Sequence, residues 1–159
     1  MTDLDNREDA HYRSGVGLMI RNSTGLIFMG ERADNPGHFQ MPQGGIDAGE
    51  NPEDAVFREL YEETGMTAAV IRAEAPEWLY YDFPDAWRAR LFDGRYRGQR
   101  QKWFLLDFSG NDAEIDLNAD ETVEFSSYKW VRSDDIVPMA VNFKKTTYRR
   151  VLRFFEGYV

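Results

Sequence analysis

An α/β fold, with a mixed β-sheet held between helices, is the architecture this sequence predicts. Three observations carry it. Runs of β-type residues recur from Val16 to Val131, a strongly signalled helix interrupts them at 52–64, and an amphipathic pattern closes the chain. VGLMI (Val16 to Ile20) and LIFMGE (Leu26 to Glu31) flank Asn22, Ser23, Thr24 and Gly25, which reads as a hairpin. For the helix, Asn51 suits the cap, Pro52 the first helical position, Glu53 and Asp54 the first turn, and Gly65 the stop. Val56 and Leu60, with Ala55 beside them, form its apolar stripe. Further strands are expected at 69–74, 78–82, 101–108 and 123–131. Tyr148, Val151, Leu152 and Phe155 then repeat at helical spacing, with Lys145, Arg149 and Arg153 as a basic stripe four residues apart.

Composition bounds the chemistry. The chain has 159 residues, enough for one domain with a real core, and 42% hydrophobic content argues against disorder. It contains no cysteine, which excludes disulfides and thiolate metal sites. His11 and His38 lie far apart and lack zinc-ligand spacing, so oxygen ligands and a hard cation such as Mg²⁺ are favoured. No apolar run approaches a membrane span, and the acidic residues Asp3, Asp5, Glu8 and Asp9 are unlike a signal peptide's basic region. A cytoplasmic protein with no membrane partner is expected.

The net charge of −9 argues against a non-specific nucleic-acid coat, but its distribution says more. Before residue 80 there are six basic and fifteen acidic side chains; after it there are thirteen of each. RYRGQRQKWF (Arg95 to Phe104) and NFKKTTYRRVLRFF (Asn142 to Phe155) interleave bases with aromatics. An ordinary solvated face accounts for such segments, and so does a polyanion bridging an acidic metal site and a basic patch.

The stretch RELYEETG (Arg58 to Gly65) sharpens the question. A helix stacks Glu59, Glu62 and Glu63 together, and like charges at that spacing cost roughly 0.2–0.5 kcal/mol per pair. Upstream, QGGIDAGE (Gln43 to Glu50) holds three glycines that permit close backbone approach. Gly44, Glu50, Arg58, Glu59, Glu62, Glu63 and Gly65 together resemble the Nudix box in each defined position. Seven such positions at roughly 6% usage each match by chance on the order of 10⁻⁹ of the time, so coincidence is a poor explanation.

The resemblance implies a Nudix-type α/β/α sandwich over 12–159, preceded by an extension at 1–11 expected to be flexible. It implies metal-dependent attack of water on a diphosphate, with Mg²⁺ or another divalent ion such as Mn²⁺ as cofactor. Glu59 and Glu63 then resemble the main metal ligands and Glu62 a further one, while the Gln43 or Gly44 carbonyl adds an oxygen. The general base comes from the box or from a later loop, where Glu124 is the candidate; the resemblance also makes Glu124 a candidate metal ligand. Glu50 and Arg58 are implied to pair structurally.

Outside the box, YRSGVGLMI, FQMPQGGID, WLYYDFP, GQRQKWFLL, TVEFSSYKWV and VNFKKTTYRRVLRFFE are similar to segments of the bacterial RNA pyrophosphohydrolases. That group overlaps the dinucleoside polyphosphate hydrolases, which share MPQGG. Phe39 stands where many relatives carry Trp. The resemblance implies that Arg32, Phe143 and Lys144 hold a base and phosphate, and Gln99, Lys102, Tyr81 and Arg13 are further candidates for the phosphate and sugar path. The substrate it implies is 5′-triphosphorylated RNA, with a dinucleoside polyphosphate as the alternative. A catalytically silent nucleotide-binding module is the third reading, against which the complete set of box carboxylates weighs.

Overall fold

Alternation in the first strand feeds two cores at once. In the computed structural model, which describes residues 10–158, β1 (Tyr12–Arg21) sends Val16, Leu18 and Ile20 to one side of the sheet and Met19 to the other. Burial on both faces is what a central strand requires. Its neighbours are β2 (Ile27–Arg32), joined by the expected hairpin, and β7 (Gly98–Phe108), which runs parallel to it from Tyr12↔Gly98 to Arg21↔Asp107.

Short strands β3 (Phe39–Gln40) and β4 (Gln43–Gly45), then β5 (Ala69–Glu74), β6 (Leu79–Asp82) and β8 (Phe125–Val131), complete a mixed sheet. The main path is β3-β2-β1-β7-β5, with β4 on β1, β6 on β7 and β8 on β2. Strand β4 lies within MPQGG and β3 just before it, and neither shows apolar periodicity, because two or three residues carry no period. Of the expected extension over 1–11, residues 1–9 lie outside the described residues.

Helix α1 (Pro52–Thr64) has the bounds its sequence signals predict. The Asn51 side chain accepts from the Asp54 N–H at 2.9 Å, and Gly65 adopts φ 73°, a left-handed stop that glycine takes without steric cost. Ala55, Val56 and Leu60 pack on Val16, Leu18, Phe104 and Leu106. The opposite layer comes from α4 (Asn142–Phe154), whose Tyr148 and Val151, with Phe155 just past its end, pack with Met19, Met29, Trp103 and Leu105. Its Arg149 and Arg153 face outward, as the stripe predicts. Two short helices, α2 (Asp85–Arg88) and α3 (Ile136–Met139), lie in the connections. Helix, sheet, helix is the sandwich expected from the sequence.

One long-range bond couples the layers to the site. The Tyr148 hydroxyl accepts from the buried Met41 N–H at 3.0 Å, pinning α4 to the chain that enters β4. Tyr148→Phe keeps the ring against Trp103 but leaves that N–H without an acceptor. A loss of about 1–3 kcal/mol is expected, read as a lower urea midpoint with unchanged slope.

Candidate active site

The box loop and α1 are joined by one guanidinium. Arg58 donates to both Glu50 carboxylate oxygens, at 2.9 and 2.8 Å, and to the Gly45 carbonyl at 2.7 Å. It also reaches Glu59 at 2.7 Å and Glu62 at 3.3 Å. Arg58, together with the Asp47 N–H, holds the Glu50 carboxyl down at about 2. Loop, helix and three box glutamates therefore share a single cation.

Register in β4 decides which backbone oxygen the site can use. Leu18 N–H donates to Pro42 O, Ile46 N–H donates to Ser14 O, and Val16 lies opposite Gly44. Antiparallel alternation then commits the Gly44 carbonyl to β1 and turns the polar groups of Gln43 and Gly45 away from it. Accordingly the Gln43 N–H meets Glu63 at 3.2 Å and the Gly45 carbonyl meets Arg58. Of the two carbonyls expected at the metal, that of Gln43 is the one on the helix side. Gly44 serves by lacking a side chain: a Cβ there would lie 1.9 Å from the Glu59 carboxyl carbon.

Burial makes these carboxylates costly to ionise. Glu59 is 8% exposed and Glu63 4%. Desolvation pushes Glu59 up to about 7 against the pull of Arg58. Desolvation, and then the charges of Glu59 and Glu124, push Glu63 well above the carboxylate range. Glu62 is more open, and Glu124 is exposed in the loop before β8, where its carbonyl accepts from the Ala33 N–H at 2.9 Å. All four glutamates line one cleft of about 420 Å³. Among the described residues, no three acidic or imidazole groups form a closed metal cage. The donor set nevertheless fits a hard cation that keeps waters and takes further oxygens from a phosphate substrate: two adjacent buried carboxylates, a third more open, and a backbone carbonyl.

The facing wall is basic and aromatic. Lys144 is 2% exposed, donates to Gln40 at 2.8 Å and Gln43 at 3.2 Å, and is pulled down to about 7 by burial and then by Arg32. Arg32 is held by both Asp34 oxygens at 2.8 Å and by Gln40 at 3.1 Å. The Arg13 guanidinium stacks 4.5 Å above the Phe92 ring. Phe143, half-buried at the start of α4, contacts Tyr81 and Trp87 at centroid distances of 5.8 and 5.0 Å. With Gln99, these six candidates share the cleft.

Lys102 does not join them. Strand alternation on β7 turns Gln99 and Gln101 toward the site and Lys102 to the other face, where its ammonium lies 3.7 Å from Glu74. The residue two places on from Gln99 is the one the site uses: Gln101 donates to the Gln43 side chain at 3.0 Å. Sequence reasoning also passed over Gln40, Trp87, Phe92, Asp120 and Thr122, which line the cleft. The aromatic and basic character of 83–97 was the available signal for Trp87 and Phe92; Asp120 and Thr122 carried none.

The raised carboxylates predict a stability effect of unusual sign. A buried carboxyl with a raised folded-state pKa stabilises when protonated and loses that contribution as pH rises from the unfolded value toward the folded one. Glu63→Gln removes the ionisable group and keeps the shape. In chelator at pH 8 its unfolding midpoint should equal or exceed that of the parent; a clear fall would contradict this account of the site.

A family model described as NUDIX domain matches residues 11–151. A protein of Rhodospirillum rubrum described as RNA pyrophosphohydrolase is 47% identical over 147 residues, covering 92% of this chain and 88% of that one. The Arabidopsis thaliana protein described as Nudix hydrolase 26, chloroplastic, is 48% identical over 153 residues, covering 93% and 71%. Among solved structures, the E. coli dihydroneopterin triphosphate pyrophosphohydrolase superposes with a TM-score of 0.71 at 17% identity, covering 92% of this chain and 98% of that one, a likeness of fold. With its box residues gathered on α1 and β4 and the match running through nearly the whole chain, this protein belongs to the NUDIX family.

Proposed function

We propose that the cleft removes pyrophosphate from the 5′-triphosphate end of RNA, leaving a 5′-monophosphate, in the cytoplasm and with Mg²⁺ or a similar divalent ion. One observation carries the reading: Glu59, Glu62, Glu63 and Glu124 face Arg13, Arg32 and Lys144 across a single cleft walled by Tyr81, Trp87 and Phe143. A polyphosphate fits between acidic and basic walls when a cation sits on the acidic side, and an unpaired base fits the aromatic and guanidinium surfaces. Relatives described as RNA pyrophosphohydrolases, 42–47% identical over more than nine-tenths of this chain, support the same substrate.

Glu59, Glu62, Glu63 and the Gln43 carbonyl would hold the cation. A bound divalent ion supplies charge neutralisation at the phosphate oxygens. Arg13, Arg32 and Lys144 orient the phosphate chain, with Gln99 and the Tyr81 hydroxyl as hydrogen-bond partners. Burial pushes that hydroxyl up to about 12, so it stays protonated and able to donate. A water oxygen bonds to phosphorus as the phosphoanhydride bond breaks, and Glu124, exposed on the cleft rim, takes the water's proton.

The same polar wall reads a phosphate chain and not a nucleoside, which keeps dinucleoside polyphosphate hydrolysis as the second reading. A comparison of kcat/KM on 5′-triphosphorylated RNA and diadenosine tetraphosphate, in one preparation with Mg²⁺, should favour the RNA; no conversion of it to 5′-monophosphate would reject the proposal. Cation binding should also release protons, because Glu59 titrates near neutrality and Glu63 above the carboxylate range. Apparent Mg²⁺ affinity should climb roughly tenfold from pH 6 to pH 8 in calorimetric titrations, with proton uptake by the buffer.

A further inference from the structure

The segment GQRQKWF in β7 puts Gln99, Gln101 and Trp103 on one face of the strand, in a row that runs from the cleft into the core. Gln99 lines the cleft, Gln101 is 1% exposed and Trp103 is fully buried. A primary amide at that depth is costly unless its oxygen and both N–H groups find partners. Those of Gln101 all do. Its oxygen accepts from the Trp103 indole N–H at 3.1 Å, and its nitrogen donates to Gln43 at 3.0 Å and, over a longer 3.5 Å, to Gln99.

The direction of these bonds is fixed from within the core. An indole N–H and an ammonium donate and never accept, so each dictates which end of an amide it meets. Trp103 therefore turns the Gln101 oxygen inward and its NH₂ toward the cleft; reversing the amide would set two donors against each other. Lys144 acts on the next residue in the same way. The Gln43 oxygen takes the ammonium at 3.2 Å together with the Gln101 NH₂, which leaves the Gln43 NH₂ for the Tyr81 hydroxyl. Having accepted there, Tyr81 has its own proton to give. Gln99, with its oxygen turned back toward Gln101, has its NH₂ to give. Both ends of the relay thus present a hydrogen to the cleft.

We infer that Gln101 and Trp103 are positioning residues for the reaction: the buried indole N–H sets the direction of a hydrogen-bond relay that makes Gln99 and Tyr81 donors toward the phosphate chain. The inference rests on the polyphosphate reading of the cleft. Neither Gln101 nor Trp103 is among the residues lining that cleft, so each acts through its neighbours. Ionised phosphate oxygens only accept, and donors already aimed at them need no reorganisation when the substrate arrives. An amide free to turn would spend part of its time with a lone pair facing the phosphate.

The test is a double-mutant cycle read on 5′-triphosphorylated RNA and, in parallel, on diadenosine tetraphosphate, both with Mg²⁺. Gln101→Met fills the space and removes the amide, while Trp103→Phe keeps the amide and removes the N–H that points it. Each should raise KM, by roughly fivefold for Gln101→Met, with kcat within about threefold of the parent. In a Gln99→Leu/Tyr81→Phe background, which lacks both ends of the relay, either change should move KM by less than about twofold. A residue that merely supports the fold would cost the same in both backgrounds. Equal losses in the two backgrounds, an unchanged KM in both variants, or a fall in kcat alone overturns the inference and leaves the activity standing. A variant without a cooperative urea transition is replaced by the other, and loss of folding in both assigns the pair to the core and overturns the relay. The parent enzyme decides the substrate: if it hydrolyses diadenosine tetraphosphate and no RNA, the RNA reading falls and the cycle is read on the former. If it turns over neither, both readings fall.

Discussion

Arg58 holds the site together, because its guanidinium sits where the box loop, the end of β4 and helix α1 meet. Two oxygens of Glu50 and the carbonyl of Gly45 fasten the loop to the helix. Once that attachment is made, β4 lies along α1 with Gln43 facing Glu63, and the close approach of Gly44 to Glu59 follows. A lysine could neutralise the same charge but lacks the planar fork that reaches several acceptors at fixed angles. The spacing from Gly44 to Arg58 is therefore geometric: the loop must be long enough to turn back, and the arginine must stand nearly two turns into the helix.

Around this joint the protein places charge where charge is costly. Glu59 and Glu63 are buried beside one another, and Lys144 is buried on the other side of Gln43. Each is pushed toward its neutral form by desolvation, in opposite directions for acid and base. Gln43 lies between them, its N–H on Glu63 and its side-chain oxygen on Lys144, with Gln40 and Gln101 completing a neutral polar layer. Such a layer keeps the unlike charges apart, so neither wall collapses onto the other and the cleft remains a place for a polyphosphate. The two hydrophobic cores on either side of the sheet offset this desolvation through burial of Trp103, Tyr148, Phe28 and Phe104.

Legibility followed the range of the interactions involved. Helix α1 was readable to the residue because its cap, its first turn, its apolar stripe and its glycine stop are all local in sequence. The box glutamates were readable for the same reason, since i, i+3 and i+4 spacing converges on one helix without help from the rest of the chain. Lys102 was misplaced because a basic residue in an aromatic strand says nothing about which face it occupies until the strand is registered against β1. Trp87 and Phe92 went unassigned because a connection without periodicity gains its shape from what it packs on, here Phe143 and Arg13.

By itself, the sequence determined the sandwich of sheet and helices, the acidic face of α1 and the outward basic stripe of α4. Each depends on composition or on spacing within a single element. Tertiary structure alone decided that Lys144 stands across Gln43 from Glu63, and that the Gln43 carbonyl and not that of Gly44 faces the helix. These depend on strand register and on contacts between residues far apart in the chain, and no local pattern encodes which distant surface a side chain will meet.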